Sequence, residues 1–358
     1  MELNLDSEVL LAFGYTKETA TITQIGSGLI NRTYLLSPLS EDQKYILQNI
    51  NTSVFKKPED IANNLKAIAD YLSKNYPDYL FIKPVSTIDG KEMAMIESEY
   101  WRMLPFVPNT VSLDVLSEPQ QAYEAAKQFG KLSALLNNFD ASLLEPTIPG
   151  FHDLGLRFEQ FTAALTTTTK ELKGKAKPQI DDALKHKYIL DYYESYSHRE
   201  DFPDRVMHHD TKISNVLLKA ETFAGICVID LDTIMPGKFI SDLGDMMRTY
   251  LCAFSENEKD LSKIKIRLPY FEAMVKGYLS EMKNILTETE KELILFSGKY
   301  IIYMQALRFL TDFLNGDIYY PTAYPTQNLD RAKNQFKLLH ELTVNEKELQ
   351  DIIEEHLA

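Results

Sequence analysis

Only two cysteines, Cys227 and Cys252, occur in 358 residues. They cannot assemble a cysteine-ligated metal cluster and offer at most a lone disulfide, so the chain fits a reducing compartment. No apolar run of about eighteen residues is present, which argues against a transmembrane helix. The start, "MELNLDSEVLLAFGY", lacks a basic segment and an apolar core before a small-residue cleavage site, and reads as cytoplasmic sequence. Positive charge is also in short supply. Lys and Arg total 38 against 52 Asp and Glu, a net charge of −14. Such a surface repels the backbone of nucleic acids. It leaves room for a small phosphorylated ligand, because local charges and metal ions decide that. The G-x-S-x-G elbow, the H-E-x-x-H helix and the Walker loop are all missing, which removes the main support for a hydrolase or a P-loop enzyme.

What is present is ordinary globular composition, 44% hydrophobic and 25% charged, in a chain long enough for two lobes. The first hundred residues alternate like strands. "TATITQIGSGLINRTYLLSP" predicts two antiparallel strands around a glycine turn, and "QKYILQNI" and "EMAMIESEYWRML" predict further strands. Between them Ile61, Leu65, Ile68 and Leu72 recur at helical spacing. "PFVPNT", residues 105–110, punctuates the end of this region. Beyond it the pattern is mainly helical. One helix follows Ser117 as N-cap, and others are expected near 154–172, 178–197, 257–284, 288–314 and 328–355. Thr287 and Glu290 have capping-box spacing, and Asn315-Gly316 marks a stop. "NVLLK" and "GICVIDL" are short strands set among the helices. The expected fold is therefore α+β and bilobal: residues 1–104 a small β-rich lobe, 105–110 a hinge, 111–358 a larger helical lobe.

The chemistry concentrates in "HHDTKISNVLL" and "CVIDLDTIMPG". Asp210 can accept or orient the proton of a substrate hydroxyl. Asn215 supplies a neutral oxygen suited to Mg²⁺. Asp230, at a strand end, can hold Mg²⁺ between phosphates, and Asp232 would share its face in a continuing strand. Together these are the parts of phosphoryl transfer. His208 and His209 have no third His or Cys at ligand spacing, which speaks against a histidine metal site.

"HHDTKISN" followed by "VIDLD" resembles the aminoglycoside phosphotransferase and choline kinase-like branch of the protein kinase-like fold. With "SDLGDMMR" the resemblance is closest to N-acetylhexosamine 1-kinase-like sequences, and it extends over most of the chain. It implies Asp210 as catalytic base, with Asn215 and Asp230 as Mg²⁺ ligands and Asp232 as a further one. His208 would brace the loop, and Asp242 would steady it while capping its own helix. ATP would lie between the lobes, its phosphates against Gly26, Ser27, Gly28 and Asn31 and its adenine against the segment 103–107, where Met103 and Phe106 are the expected contacts.

Two departures stand out. Asn31 occupies the place of the third glycine. Gln48 occupies the third-strand position where kinases carry a phosphate-binding Lys or Arg, so Lys44, Lys56 or Lys57 would substitute, or the metal would carry more of the load. Glu59 is the nearest helix glutamate. Gln48 also leaves open a catalytically silent binding module. On the acceptor side, Arg308 and Asp312 lie at i, i+4 in an apolar helix, either as a structural ion pair or as acceptor ligands. "NGDIYYPTAYP" adds tyrosines, Tyr320 among them, for stacking on a sugar ring or for packing. His152, Asp153 and Arg157 either line the cleft or form a solvated loop. The implied reaction is ATP-dependent transfer to the anomeric hydroxyl of an N-acetylhexosamine. Choline, ethanolamine, homoserine and aminoglycosides remain alternatives.

Overall fold

The structure is a computed structural model that describes residues 7–25 and 30–358. Gly26, Ser27 and Gly28 lie outside the described residues. Helix α1 (Ser7–Ala12) precedes strands β1 (Ala20–Gln24), β2 (Arg32–Pro38) and β3 (Tyr45–Ile50). Helix α2 (Pro58–Asn75) then separates them from β4 (Ala94–Ile96) and β5 (Glu99–Pro105). These strands form an antiparallel sheet in the order β1-β2-β3-β5-β4. The stretch predicted as a single strand at 92–104 is instead a hairpin. Glu97 and Ser98 both take positive φ, 48° and 69°, the conformation a two-residue turn between twisted strands requires.

The sheet has two different faces. Leu47, Trp101 and Met103 pack with Val9 and Leu10 of α1. Strand alternation sends their neighbours Gln48 and Arg102, which are register partners, to the other face, towards the helical half. Helix α2 buries Ile61, Leu65, Ile68 and Leu72 as its spacing predicts. These side chains join the large core of the second half, with Phe129 and Val206. Asn64 ties the helix down by donating to the carbonyls of Glu145 at 2.7 Å and Ile234 at 3.0 Å. The hydrophobic cores therefore divide the molecule differently from a cut at residue 104.

The second half begins with β6 (Thr110–Val111) and helices α3 (Pro119–Leu135), α4 (Leu154–Thr167), α5 (Lys170–Lys175), α6 (Lys177–Lys185) and α7 (Tyr188–Tyr196). Strands β7 (Arg205–Met207), β8 (Val216–Lys219), β9 (Gly225–Val228) and β10 (Met235–Gly237) follow, then α8 (Ile240–Tyr250), α9 (Leu268–Met282), α10 (Glu288–Glu292), α11 (Ile294–Leu314), α12 (Gln327–Val344) and α13 (Glu346–Leu357). The architecture is α+β, with a β-rich first region and a mostly helical second one. A β6-β8-β9 sheet and a β7-β10 pair frame the segment between them.

Several helices are shorter than their periodicity predicts, because side chains capture the backbone locally. The helix expected at 154–172 stops at Thr167, and Thr169 caps α5 by accepting from Leu172 N–H at 3.2 Å. The helix expected at 257–284 starts only at Leu268, since Asp260 instead caps a short 3₁₀ turn at Leu261–Lys263. The start of α3 is fixed by Gln121, whose Oε1 accepts from the N–H groups of Ser117 and Glu118, so Ser117 is not itself the cap. The capping box of Thr287 and Glu290 is present. One glycine matters for the layout. A Cβ on Gly244 would lie 2.2 Å from the carbonyl oxygen of Ser297, so α8 rests directly on α11. No helix among the described residues is long and apolar enough to cross a membrane.

Candidate active site

Strand β7 delivers His208 to Asp210 to the edge of the helical half, and a 3₁₀ turn at Ile213–Asn215 returns the chain into β8. His209 has φ 66°, a left-handed conformation rare for residues other than glycine. The turn holds because its backbone is clamped. Asp242 accepts from His208 N–H at 2.9 Å and His209 N–H at 2.7 Å. Asp245, three residues on and on the same face of α8, accepts from Thr211 N–H at 2.9 Å. Arg248 donates to Asp245 in turn at 2.9 Å. His208 links this loop to the next one. Its Nε2 meets the Ile229 carbonyl at 2.9 Å, and Asp210 N–H donates to its Nδ1 at 3.3 Å. The two histidines thus diverge, and among the described residues no three His, Cys, Asp or Glu side chains converge as a metal cage.

Asp210 itself is held by two donors. Asn215 Nδ2 donates to its carbonyl at 2.8 Å and its Oδ2 at 2.9 Å, and Lys212 Nζ donates to Oδ2 at 2.9 Å. Burial opposes the charge on Asp210, but Lys212, His208 and Asn215 outweigh it and hold the carboxyl below its ordinary range. Lys212 is held charged in the same way, its own burial overcome by Asp210 and Asp230.

Asp230 also sits in the left-handed region, at φ 58°. Its side chain reaches the surface, yet protein and like charge crowd it. That enclosure first, then Asp232 and Asp210, pushes its carboxyl up to about 6. A carboxylate made costly in this way is one that a cation relieves. Asn215 spends its amide N–H groups on Asp210, which leaves its carbonyl oxygen for a hard cation. One carboxylate and one amide oxygen suit Mg²⁺, which retains waters and takes further ligands from substrate phosphates.

Asp232 does not share this face. It is 2% exposed, and both of its oxygens turn to the sheet. Oδ2 accepts from Asn31 Nδ2 at 2.7 Å, and Oδ1 makes a charge contact with Arg102 without hydrogen-bond alignment. Arg102, which sequence reading passed over, also donates twice to Gln48 Oε1, at 3.0 and 2.7 Å. Asn31 and Gln48, expected to touch nucleotide, are thus bound into one network with Asp232, expected to touch metal. The expected substitute cations are elsewhere: Lys44, Lys56 and Lys57 are exposed. Glu59 accepts from Tyr100 OH at 2.5 Å and pairs with no cation of the cleft. Met103 also departs from expectation. Its side chain is buried in the core on the far face, and its carbonyl accepts from Val85 N–H at 2.7 Å. Phe106 remains partly exposed in the connecting segment, with its N–H donated to the Lys44 carbonyl at 2.9 Å.

The sequence pattern of the family described as "Phosphotransferase enzyme family" matches residues 21–260, well over half of the chain. The chain belongs to this phosphotransferase family. Several solved structures share the fold at low sequence identity. A microcompartment-associated aminopropanol kinase is 15% identical, with a TM-score of 0.62 over 96% of this chain and 97% of that one. A spectinomycin phosphotransferase solved with ADP and spectinomycin is 15% identical, with a TM-score of 0.60 over 95% and 97%. The ethanolamine kinase of Plasmodium vivax is 15% identical, with a TM-score of 0.56 over 89% and 82%. The family match makes the protein a phosphotransferase.

In this phosphotransferase an aromatic and cationic wall runs from His209, the residue before Asp210, to Arg308. His209 packs on His152 with ring centroids 5.3 Å apart, and His152 stacks on Phe151 at 4.6 Å. The Arg308 guanidinium lies 5.5 Å over Phe151 and 5.5 Å over Tyr320. Arg308 and Asp312 do not form the ion pair that their spacing allows. Arg308 donates to Gln305 Oε1 at 3.1 Å. Asp312 instead gathers the tyrosine turn, accepting from the N–H groups of Ile318 at 3.0 Å, Tyr319 at 2.8 Å and Tyr320 at 2.8 Å, and from Asn328 at 2.9 Å. Asp153 caps α4, while Arg157 folds back onto the carbonyls of Gly150 and Phe151. The two cysteines are free and buried.

Proposed function

We propose that this phosphotransferase uses ATP and Mg²⁺ to phosphorylate the anomeric hydroxyl of an N-acetylhexosamine. The observation that carries the acceptor reading is the Arg308 wall. Arg308 has no carboxylate partner among the described residues, and it spans Phe151 and Tyr320 in a ring cluster that continues through His152 to His209, the residue before Asp210. Ring faces suit the apolar faces of a sugar, and a guanidinium donates to hydroxyl and acetamido oxygens. The same charge disfavours a cationic acceptor, which counts against choline, ethanolamine and aminoglycosides even though the chain as a whole is acidic.

Asp210, charged and oriented by Asn215 and Lys212, would take the acceptor's hydroxyl proton. The acceptor oxygen then bonds to the γ-phosphorus as the bond to the β-bridging oxygen breaks and ADP leaves. Lys212, two residues from Asp210, supplies positive charge where phosphoryl oxygens would lie. Asn215 and Asp230 would hold Mg²⁺, whose chemistry is to neutralise charge developing on the phosphates. His208, Asp242 and Asp245 keep the loop in shape. Two free cysteines and dependence on ATP suit the cytoplasm. The test is a screen of uncharged, anionic and cationic alcohols for Mg²⁺-dependent ADP release, followed by location of the phosphate on the product.

A further inference from the structure

The side chain of Asp232 is 3% exposed and that of Arg102 is 2% exposed, and the two meet at the face where the β-rich half abuts the helical half. An ion pair so enclosed recovers its desolvation only if its remaining polar groups are also satisfied. Here they are: Asn31 covers the other Asp232 oxygen, and Gln48 takes two guanidinium N–H groups. Asn31 in turn accepts from Asn51 N–H at 3.0 Å, which joins the residue ahead of β2 to the one that follows β3. Both groups that meet Asp232 thus come from the β-rich half, Asn31 just ahead of β2 and Arg102 on β5, while Asp230, two residues earlier, is exposed.

We propose that Asp232 is the anchor holding the sheet to the metal loop and that it is not a metal ligand. Arg102, on β5, is the cation of this anchor. This explains the anomaly at residue 48. Gln48 lies opposite Arg102 in register, and its neutral amide oxygen accepts what a lysine ammonium would repel. Arg102 and Asp232 act through the residues they hold, so both are positioning residues. The inference rests on Asp230 being the Mg²⁺ ligand.

The test measures ADP binding by calorimetry across Mg²⁺ concentrations, alongside thermal melting. Asp230→Asn should weaken Mg²⁺-dependent ADP binding at least ten-fold. The isosteric Asp232→Asn should shift the Mg²⁺ midpoint by less than three-fold while lowering the melting temperature. Arg102→Met should melt lower than the double variant Arg102→Met/Asp232→Asn, because it strands a buried carboxylate. Gln48→Lys, which restores the usual kinase residue, should weaken ADP binding. If Asp232→Asn loses Mg²⁺ dependence as Asp230→Asn does, Asp232 is a metal ligand and the anchor is refuted, even should Arg102→Met fail to fold. If Gln48→Lys binds ADP more tightly, the role given to Gln48 beside Arg102 is refuted. If Asp230→Asn keeps full Mg²⁺ dependence, the metal assignment beneath the inference has failed instead.

Discussion

Asn215 donates its side-chain amide twice to Asp210, to the carbonyl at 2.8 Å and to Oδ2 at 2.9 Å. One residue thereby fixes both the backbone and the carboxylate of the proposed base and turns its own oxygen elsewhere. Replacing Asp210 by Asn keeps the shape and removes the proton acceptor. Turnover should fall about 10²–10⁴-fold, with ADP affinity within a few-fold of wild type. Near-full activity of Asp210→Asn on its true acceptor would take Asp210 out of this role.

Arg308 supports a prediction about the acceptor. It has no carboxylate partner among the described residues, so removing it does not strand a buried anion, and folding should be only mildly affected. Arg308→Ala should raise the acceptor KM about ten- to a hundred-fold, the loss expected for a charge-assisted hydrogen bond worth about 1.5–3 kcal/mol. ATP affinity and melting temperature should change little. Unchanged acceptor kinetics in a stable variant would make Arg308 a packing residue.

Gly244 allows a stability prediction remote from the chemistry. A methyl at this position would meet the Ser297 carbonyl oxygen at 2.2 Å, and a backbone carbonyl in the first turn of the buried helix α11 cannot step aside. Gly244→Ala should cost about 1–3 kcal/mol or more through overpacking. Because α8 carries Asp242 and Asp245, turnover should also drop in the folded fraction. Urea unfolding beside single-turnover rates would separate the two effects, and wild-type stability would show that α8 can shift freely.

His209 provides the pH prediction. Burial, and then His208, lower it from 6.5 to about 4, partly offset by its bond to the Met207 carbonyl. The folded state therefore favours neutral imidazole. That stability is present above pH 6.5 and is lost as pH falls towards about 4, up to on the order of 3 kcal/mol. Asp242, raised to about 6 mainly by burial, has the opposite sign, since its contribution is lost as pH rises through about 6. The comparison must therefore be made with a variant. His209→Asn tolerates positive φ and does not titrate, so its melting temperature should fall less than that of wild type between pH 7.5 and 5. Parallel melting curves would contradict the shift.

Much of the candidate site was legible because phosphoryl transfer, as proposed, needs particular groups at particular chain spacings. Asp210, Asn215 and Asp230 stand on one short strand-turn-strand unit, where sequence distance nearly sets spatial distance. Asp242 was readable from the helix start that follows. Asp245 was missed, although its i, i+3 spacing from Asp242 puts both carboxylates on one face of α8. Arg102 was missed for a different reason. Its partners Gln48 and Asp232 lie on other strands and in the other half, so only register and burial bring them together. Asp312 misled because i, i+4 spacing shows what can meet without deciding which contact wins. Four donors from the turn and α12 outcompeted Arg308. The helix ends near 168 and 267 failed because Thr169 and Asp260 bind local backbone more favourably than the helix could continue.

The identity of the phosphorylated product tests the central claim most directly. The purified protein, Mg²⁺ and ATP would be offered N-acetylhexosamines, other neutral sugars, choline, ethanolamine, homoserine and aminoglycosides, with ADP release followed and the product's phosphate position read by phosphorus NMR. The expected result is transfer to an N-acetylhexosamine, giving an acid-labile sugar 1-phosphate that Asp210→Asn cannot make. Efficient phosphorylation of a cationic acceptor, or a phosphate on a non-anomeric oxygen, would contradict it.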